Sequence, residues 1–152
     1  MLQNLLIVFF IVCLVCHIYT DVKELLLYDV VSAGMLLVGC IYAYWYGNLW
    51  QSLIGAVFVG GIMLLLYILC RGGMGEGDVK LSFVLGVWLG PILGMVCLAL
   101  AFGFGGILAI FLLLLRCKRG KEMIPFGPFL CLGGAVSLFY GNELIKFYLS
   151  YF

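Results

Sequence analysis

Charge is what this sequence has least of. Charged side chains make up only 10% of the 152 residues: 8 Lys and Arg, 7 Asp and Glu, with a single His. Soluble domains carry about 25%. So few basic residues leave no electrostatic footprint for nucleic acid. Proline numbers only 3, and nothing resembles the polar, Pro-rich composition of a disordered chain. Cysteine is not lacking, but its 7 copies are odd in number and scattered through apolar runs, which excludes a paired disulfide scaffold as the leading reading. What is present is apolar. Hydrophobic residues reach 66%, aromatics 16%, glycine 21 copies, and the mean hydropathy is +1.28. A soluble core cannot hide that much apolar surface, so lipid is the solvent this chain needs.

A helix crossing the hydrocarbon takes about 20 mostly apolar residues. Apolar runs cover Leu2 to Thr20, Val30 to Gly47, Leu53 to Cys70, Leu81 to Leu115 and Ile124 to Gly141. The fourth run is long, and Leu89-Gly90-Pro91 lies inside it. Gly-Pro is a turn signal, and proline disfavours helix in the residue before it. Splitting the run there predicts an all-α protein with six transmembrane helices, residues 1–152 forming one membrane-embedded domain. Lys23, Arg71, Lys80, Arg116, Lys118, Arg119 and Lys121 then fall on one side and only Lys146 on the other. That asymmetry makes the first side cytoplasmic and puts both termini outside. Tyr42, Tyr44, Trp45, Tyr46 and Trp50 fall where an outer aromatic belt forms. Leu2 to Thr20 has no basic segment before it and no clear small-residue cleavage site before Asp21, so it reads as a span rather than a signal peptide. Glycines such as Gly55, Gly60, Gly61, Gly103, Gly105 and Gly106 lie inside spans, where small residues let helices pack closely.

Cys13 and Cys16 form a C-x-x-C inside a membrane helix, one turn from His17. A zinc site needs further ligands nearby, and a buried thiol behaves as a small hydrophobe. No metal or other cofactor is expected. His17 shows no polar neighbourhood in the sequence to orient it as a base.

The carboxylates carry more information. They are Asp21, Glu24, Asp29, Glu76, Asp78, Glu122 and Glu143, and ionisable groups at membrane depth usually mark function. Asp21 ends the first span. Asp78 opens the fourth, after a loop containing Gly72, Gly73, Gly75 and Gly77. Paired carboxyls divide the work of peptide hydrolysis: one takes a proton from water, the other holds a proton and polarises the carbonyl. They titrate as a unit. The glycines give an open backbone that a substrate strand can approach. Composition alone is equally served by solvated turn residues, since short loops routinely carry Asp and Gly.

Gly75-Glu76-Gly77-Asp78 fits the GxGD signature of intramembrane aspartyl proteases. Its continuation through Val79-Lys80-Leu81, then Gly86 to Gly90, and Ile124-Pro125-Phe126-Gly127-Pro128-Phe129-Leu130 further on, resemble the type IV prepilin peptidase family, which includes preflagellin peptidases. The resemblance covers nearly the whole chain. It implies catalytic aspartates at Asp21 and Asp78. It also implies substrate-binding or loop-supporting roles for Gly75, Glu76, Gly77, Lys80, Pro125 and Gly127. Many relatives carry a proline seven residues after the first aspartate. Here that position is Tyr28, followed by Asp29, which leaves Asp29 as a rival for the first aspartate. Tyr28-Asp29 also resembles the YD of presenilin-like GxGD proteases.

Larger bacterial members carry a cytoplasmic insert with paired C-x-x-C zinc motifs and also methylate the new N-terminus. The few polar residues between the first two runs here leave no place for it. The resemblance therefore implies cleavage without methylation, by a short form of the enzyme. It implies a multi-pass protein of the cell membrane that cuts at the cytoplasmic face. The expected partner is a prepilin or pilin-like precursor with a short basic leader, a cut after Gly, and an apolar membrane helix beyond. Membrane lipid is the other partner, nucleic acid is not, and the oligomeric state is open. Lys80 has two readings, an interface anchor or a charge that tunes the pair. The rival from another class is a non-catalytic membrane scaffold with Asp78 in a structural turn. A translocation channel fits poorly, because Ser82 and Trp88 are the only polar side chains between Leu81 and Leu115.

Overall fold

The computed structural model describes residues 2–24, 27–70, 75–114 and 125–151. They form five helices: α1 (Leu2–Glu24), α2 (Asp29–Trp45), α3 (Leu49–Leu69), α4 (Glu76–Leu114) and α5 (Gly127–Ser150). The all-helical class agrees with the sequence, but the expected six transmembrane helices do not. Four helices are long and apolar enough to cross a membrane: Leu2–Glu24, Leu49–Leu69, Glu76–Phe111 and Gly127–Ser150. Two physical reasons account for the difference. The second apolar run makes a helix of only 17 residues, about 25 Å long against a hydrocarbon thickness of about 30 Å. It stops where Gly47 takes a φ of +69°. The long fourth run counts as a single element, α4, but Gly90 at φ 71° and ψ −175° breaks it into two helical arms. Pro91 follows at a first-turn position, where its missing N–H costs nothing.

The break at Gly90 organises the packing. Before it, Gly60 meets the Phe83 ring and Gly55 meets the Gly86 and Gly90 backbone, so the first arm of α4 runs antiparallel to α3. After it, Gly94 meets Val59, and the second arm returns along the same helix. The second arm also packs on α5, with Gly141 against Leu93 and Gly133 against the Cys97 carbonyl. A side chain at Gly55 or Gly86 would strike backbone. In lipid, where apolar burial gives no drive for association, that close approach is what joins the helices. Phe10, Met35, Met63, Leu81, Leu85 and Leu130 are fully buried between the elements. Trp88 is buried with its polar group satisfied: its indole N–H donates to the Met35 carbonyl at 2.9 Å, in space that Gly39 leaves open. Large apolar side chains such as Leu5, Val30, Val57 and Ile92 are exposed on the outer surface.

Two opposite ends follow. Asp21 ends α1, Asp29 and Glu76 begin α2 and α4, and Gly127 begins α5. The other end carries the α2–α3 turn, where Tyr44, Trp45 and Trp50 are exposed. The expected one-sided basic cluster falls mostly outside the described residues, at Arg71, Arg116, Lys118, Arg119 and Lys121. So do Gly72, Gly73, Cys117, Glu122 and Ile124.

Candidate active site

Asp21 sits on the buried stripe of α1 that also holds Phe10, Cys13, Leu14 and His17. The helical spacing that packs α1 inward therefore turns this carboxyl inward as well. Asp78 lies in the first turn of α4, with its N–H donating to the Gly75 carbonyl at 3.2 Å. Its own carbonyl accepts from the Ser82 hydroxyl at 2.7 Å. Both aspartates are 6% exposed. They line one cleft of about 220 Å³ together with Leu27, Gly75, Glu76 and Gly77, and the two carboxyls are close enough to interact electrostatically.

Glycine makes the room. The Gly127 backbone amide faces the Asp21 carboxyl, and a Cβ there would come within 2.5 Å of Oδ2. Gly77 lies against Leu27, where a Cβ would sit 2.9 Å from the leucine Cβ. Among the described residues Asp21 Oδ2 is buried without a hydrogen-bond partner.

Asp29 has a different setting. It opens α2 on the rim of the same cleft, and both of its oxygens accept from Lys80 Nζ at 2.8 Å. Its side chain is 69% exposed. Lys80 thus bridges α2 to α4 rather than standing free beside the pair. Glu76, also on the rim, accepts from the Tyr67 hydroxyl at 3.1 Å. Glu24 accepts from Tyr28 at 2.7 Å, and that hydrogen bond raises the phenol above its ordinary pKa. Pro125 is half-buried just ahead of α5 and does not line the cleft. Among the described residues no three His, Cys, Asp or Glu side chains gather to hold a metal ion.

Two features were not visible in the sequence. Leu27, an apolar residue in a polar connection, lines the cleft. His17 does have a polar neighbour, contrary to expectation: its Nε2 lies 3.3 Å from the Ser32 hydroxyl, which ties α1 to α2.

The type IV leader peptidase family model matches residues 7–110, a stretch that includes both buried aspartates. The chain belongs to that family. The prepilin leader peptidase/N-methyltransferase of Legionella pneumophila is 32% identical over 147 residues, covering 91% of this chain and 50% of its own length. The protein of the same name from Pseudomonas aeruginosa is 34% identical over 140 residues, covering 86% and 48%. That of Aeromonas hydrophila is 32% identical over 146 residues, covering 91% and 50%. This leader peptidase family member thus spans about half the length of the curated relatives it matches. No solved structure matches it at a significant level.

Proposed function

We propose that this chain is a membrane-embedded aspartic endopeptidase that removes the leader from prepilin or pilin-like precursors. One observation carries the reading: in a member of the leader peptidase family, two buried aspartates from different helix ends face one cleft. Asp21 and Asp78 form the catalytic pair. One carboxylate takes a proton from water as the oxygen attacks the scissile carbonyl carbon. The other carboxylic acid donates its proton to the carbonyl oxygen. When the tetrahedral intermediate collapses, the C–N bond breaks and the leaving amine takes a proton from the pair. Gly75 and Gly127 keep side chains away from the carboxyls and Gly77 makes room for Leu27, and the open backbone at Gly75 lets a substrate peptide approach the pair.

The cleft faces the cytoplasm. Lys23 and Lys80 lie at this end of the helices, as the positive-inside rule favours. The Leu2 end of α1 and the Ser150 end of α5 lie at the other, which supports both termini outside. Glu76 on the rim and Glu24 at the end of α1 suit a basic leader. Fixing substrate and pair at one depth of the bilayer is itself a rate advantage.

The test is co-expression with a leader-bearing pilin-like precursor, following leader removal on gels for wild type, Asp21→Asn, Asp29→Asn and Asp78→Asn, each checked for membrane insertion. Loss in Asp21→Asn and Asp78→Asn with cleavage retained in Asp29→Asn is expected. Cleavage that survives Asp78→Asn sinks the aspartic mechanism.

A further inference from the structure

The catalytic cleft does not end at its rim. On the far side of Asp29 and Lys80 a second depression of about 320 Å³ opens between α2 and the first arm of α4, and the same two residues line both spaces. The Asp29–Lys80 ion pair is therefore a sill between them. Beyond the sill the walls are Ala33 and Leu36 from α2 and Phe83 and Val84 from α4. Ser32 also lines it, but its hydroxyl is engaged by His17. Phe83 is seated on Gly60, so that wall is fixed by the α3 seam. The larger depression along α3, lined by residues such as Trp50, Val57 and Leu65, differs on every count. One helix makes it, and it does not join the cleft.

We propose that the α2–α4 groove receives the apolar stretch of a precursor chain that adjoins the bond to be cut. The proposal rests on the peptidase reading above. Its own basis is continuity. A peptide whose carbonyl lies between Asp21 and Asp78 and which runs toward α2 crosses the sill and enters a trough with apolar walls. Residues on that side of the bond must therefore be apolar. Residues on the other side lie toward Glu76, where polar or basic side chains are accommodated. The ion pair, half open to solvent, offers Lys80 donors and Asp29 acceptors to the backbone of the chain crossing it. The groove would thus read which side of the bond is apolar, and set the direction in which the precursor enters.

The experiment uses the full chain in membranes with a precursor carrying a leader and an apolar segment. Ala33→Trp fills the trough without touching either aspartate. It is expected to raise KM about tenfold while leaving kcat near wild type, the pattern of lost ground-state binding. Phe139→Trp, on the exposed face of α5, a helix that makes no contact with α2, is expected to change neither. A photo-reactive residue at position 33 in the Asp78→Asn protein is expected to capture the precursor through its apolar segment, and one at position 139 is not. That capture does not depend on how well Ala33→Trp folds. Capture of lipid alone at position 33, or an unchanged KM in an inserted Ala33→Trp that still cleaves, overturns the groove and leaves the peptidase reading standing. Failure of the inserted wild type to cut any leader-bearing precursor overturns the peptidase reading, and the groove with it.

Discussion

Glycine does opposite things at the two working regions of this molecule. Along the α3–α4 seam it removes space. Gly55 and Gly86 bring backbone against backbone, and a Cβ at Gly86 would lie 2.7 Å from the Ala56 Cα. At the cleft it preserves space. A Cβ at Gly75 would meet Asp78 Oδ2 at 3.4 Å, an ordinary contact, while one at Gly127 would press on Asp21. The seam has no polar chemistry, and its glycines serve stability. The cleft has two inward carboxyls, and its glycines leave room beside them. In a protein dissolved in lipid, glycine count alone says little. What the missing side chain would have touched says which role is in play.

The sharpest way to separate the regions is to change each and read stability and activity together. The largest effect on activity is expected from Asp78→Asn, a loss of about 10³-fold or more in cleavage, the scale of removing an acid–base group. Insertion and thermal unfolding in detergent should be unchanged. Gly86→Leu should do the reverse. Its side chain meets the α3 backbone, which cannot yield, and overpacking of this kind costs about 3 kcal/mol. Folded protein should fall sharply in the same unfolding assay. A Gly86→Leu protein as stable as wild type would break the comparison. Gly127→Ala tests the cleft alone. Its methyl would displace the Asp21 carboxyl, and misplacement on the order of 1 Å costs about 100-fold in rate, so cleavage should drop steeply with little change in melting temperature.

Much of this layout was legible in the sequence and some was not, for definable reasons. Apolar runs are one-dimensional signals, so the helices and the polar ends that carry Asp21 and Asp78 could be read directly. The heads of α4 and α5 were marked by local motifs, Gly75 to Asp78 and Pro125 to Pro128. The number of spans was misread at two points. A Gly-Pro step marks a break but not how far the chain turns there, and here Gly90 at φ 71° sends the second arm back along α3. The 17-residue α2 stops short because the chain turns at Gly47. The rivalry between Asp21 and Asp29 was undecidable by chemistry, since both are acids near the end of the first span. What separates them is burial and a cation from a residue 51 positions away. The link from His17 to Ser32 likewise spans 15 positions. Contacts of that kind belong to the tertiary structure and leave no local trace.

The smallest expected effect falls on the residue that joins the two regions. Asp29 lies on the cleft rim, yet its partner Lys80 belongs to the arm of α4 that packs on the α3 seam. Exposed ion pairs contribute little to stability, so Asp29→Asn should leave the melting temperature almost unchanged. Its effect on cleavage should be a few-fold loss, because Lys80 is then free to swing and the sill between cleft and groove loosens. The exchange variant, Asp29→Lys with Lys80→Asp, restores the bridge with its charges reversed and should recover most of that loss. A loss in Asp29→Asn as deep as that in Asp78→Asn, with Asp21→Asn still active, would move the first catalytic aspartate to the rim. No loss at all would reduce the ion pair to a surface contact and leave the cleft to the two buried carboxyls alone.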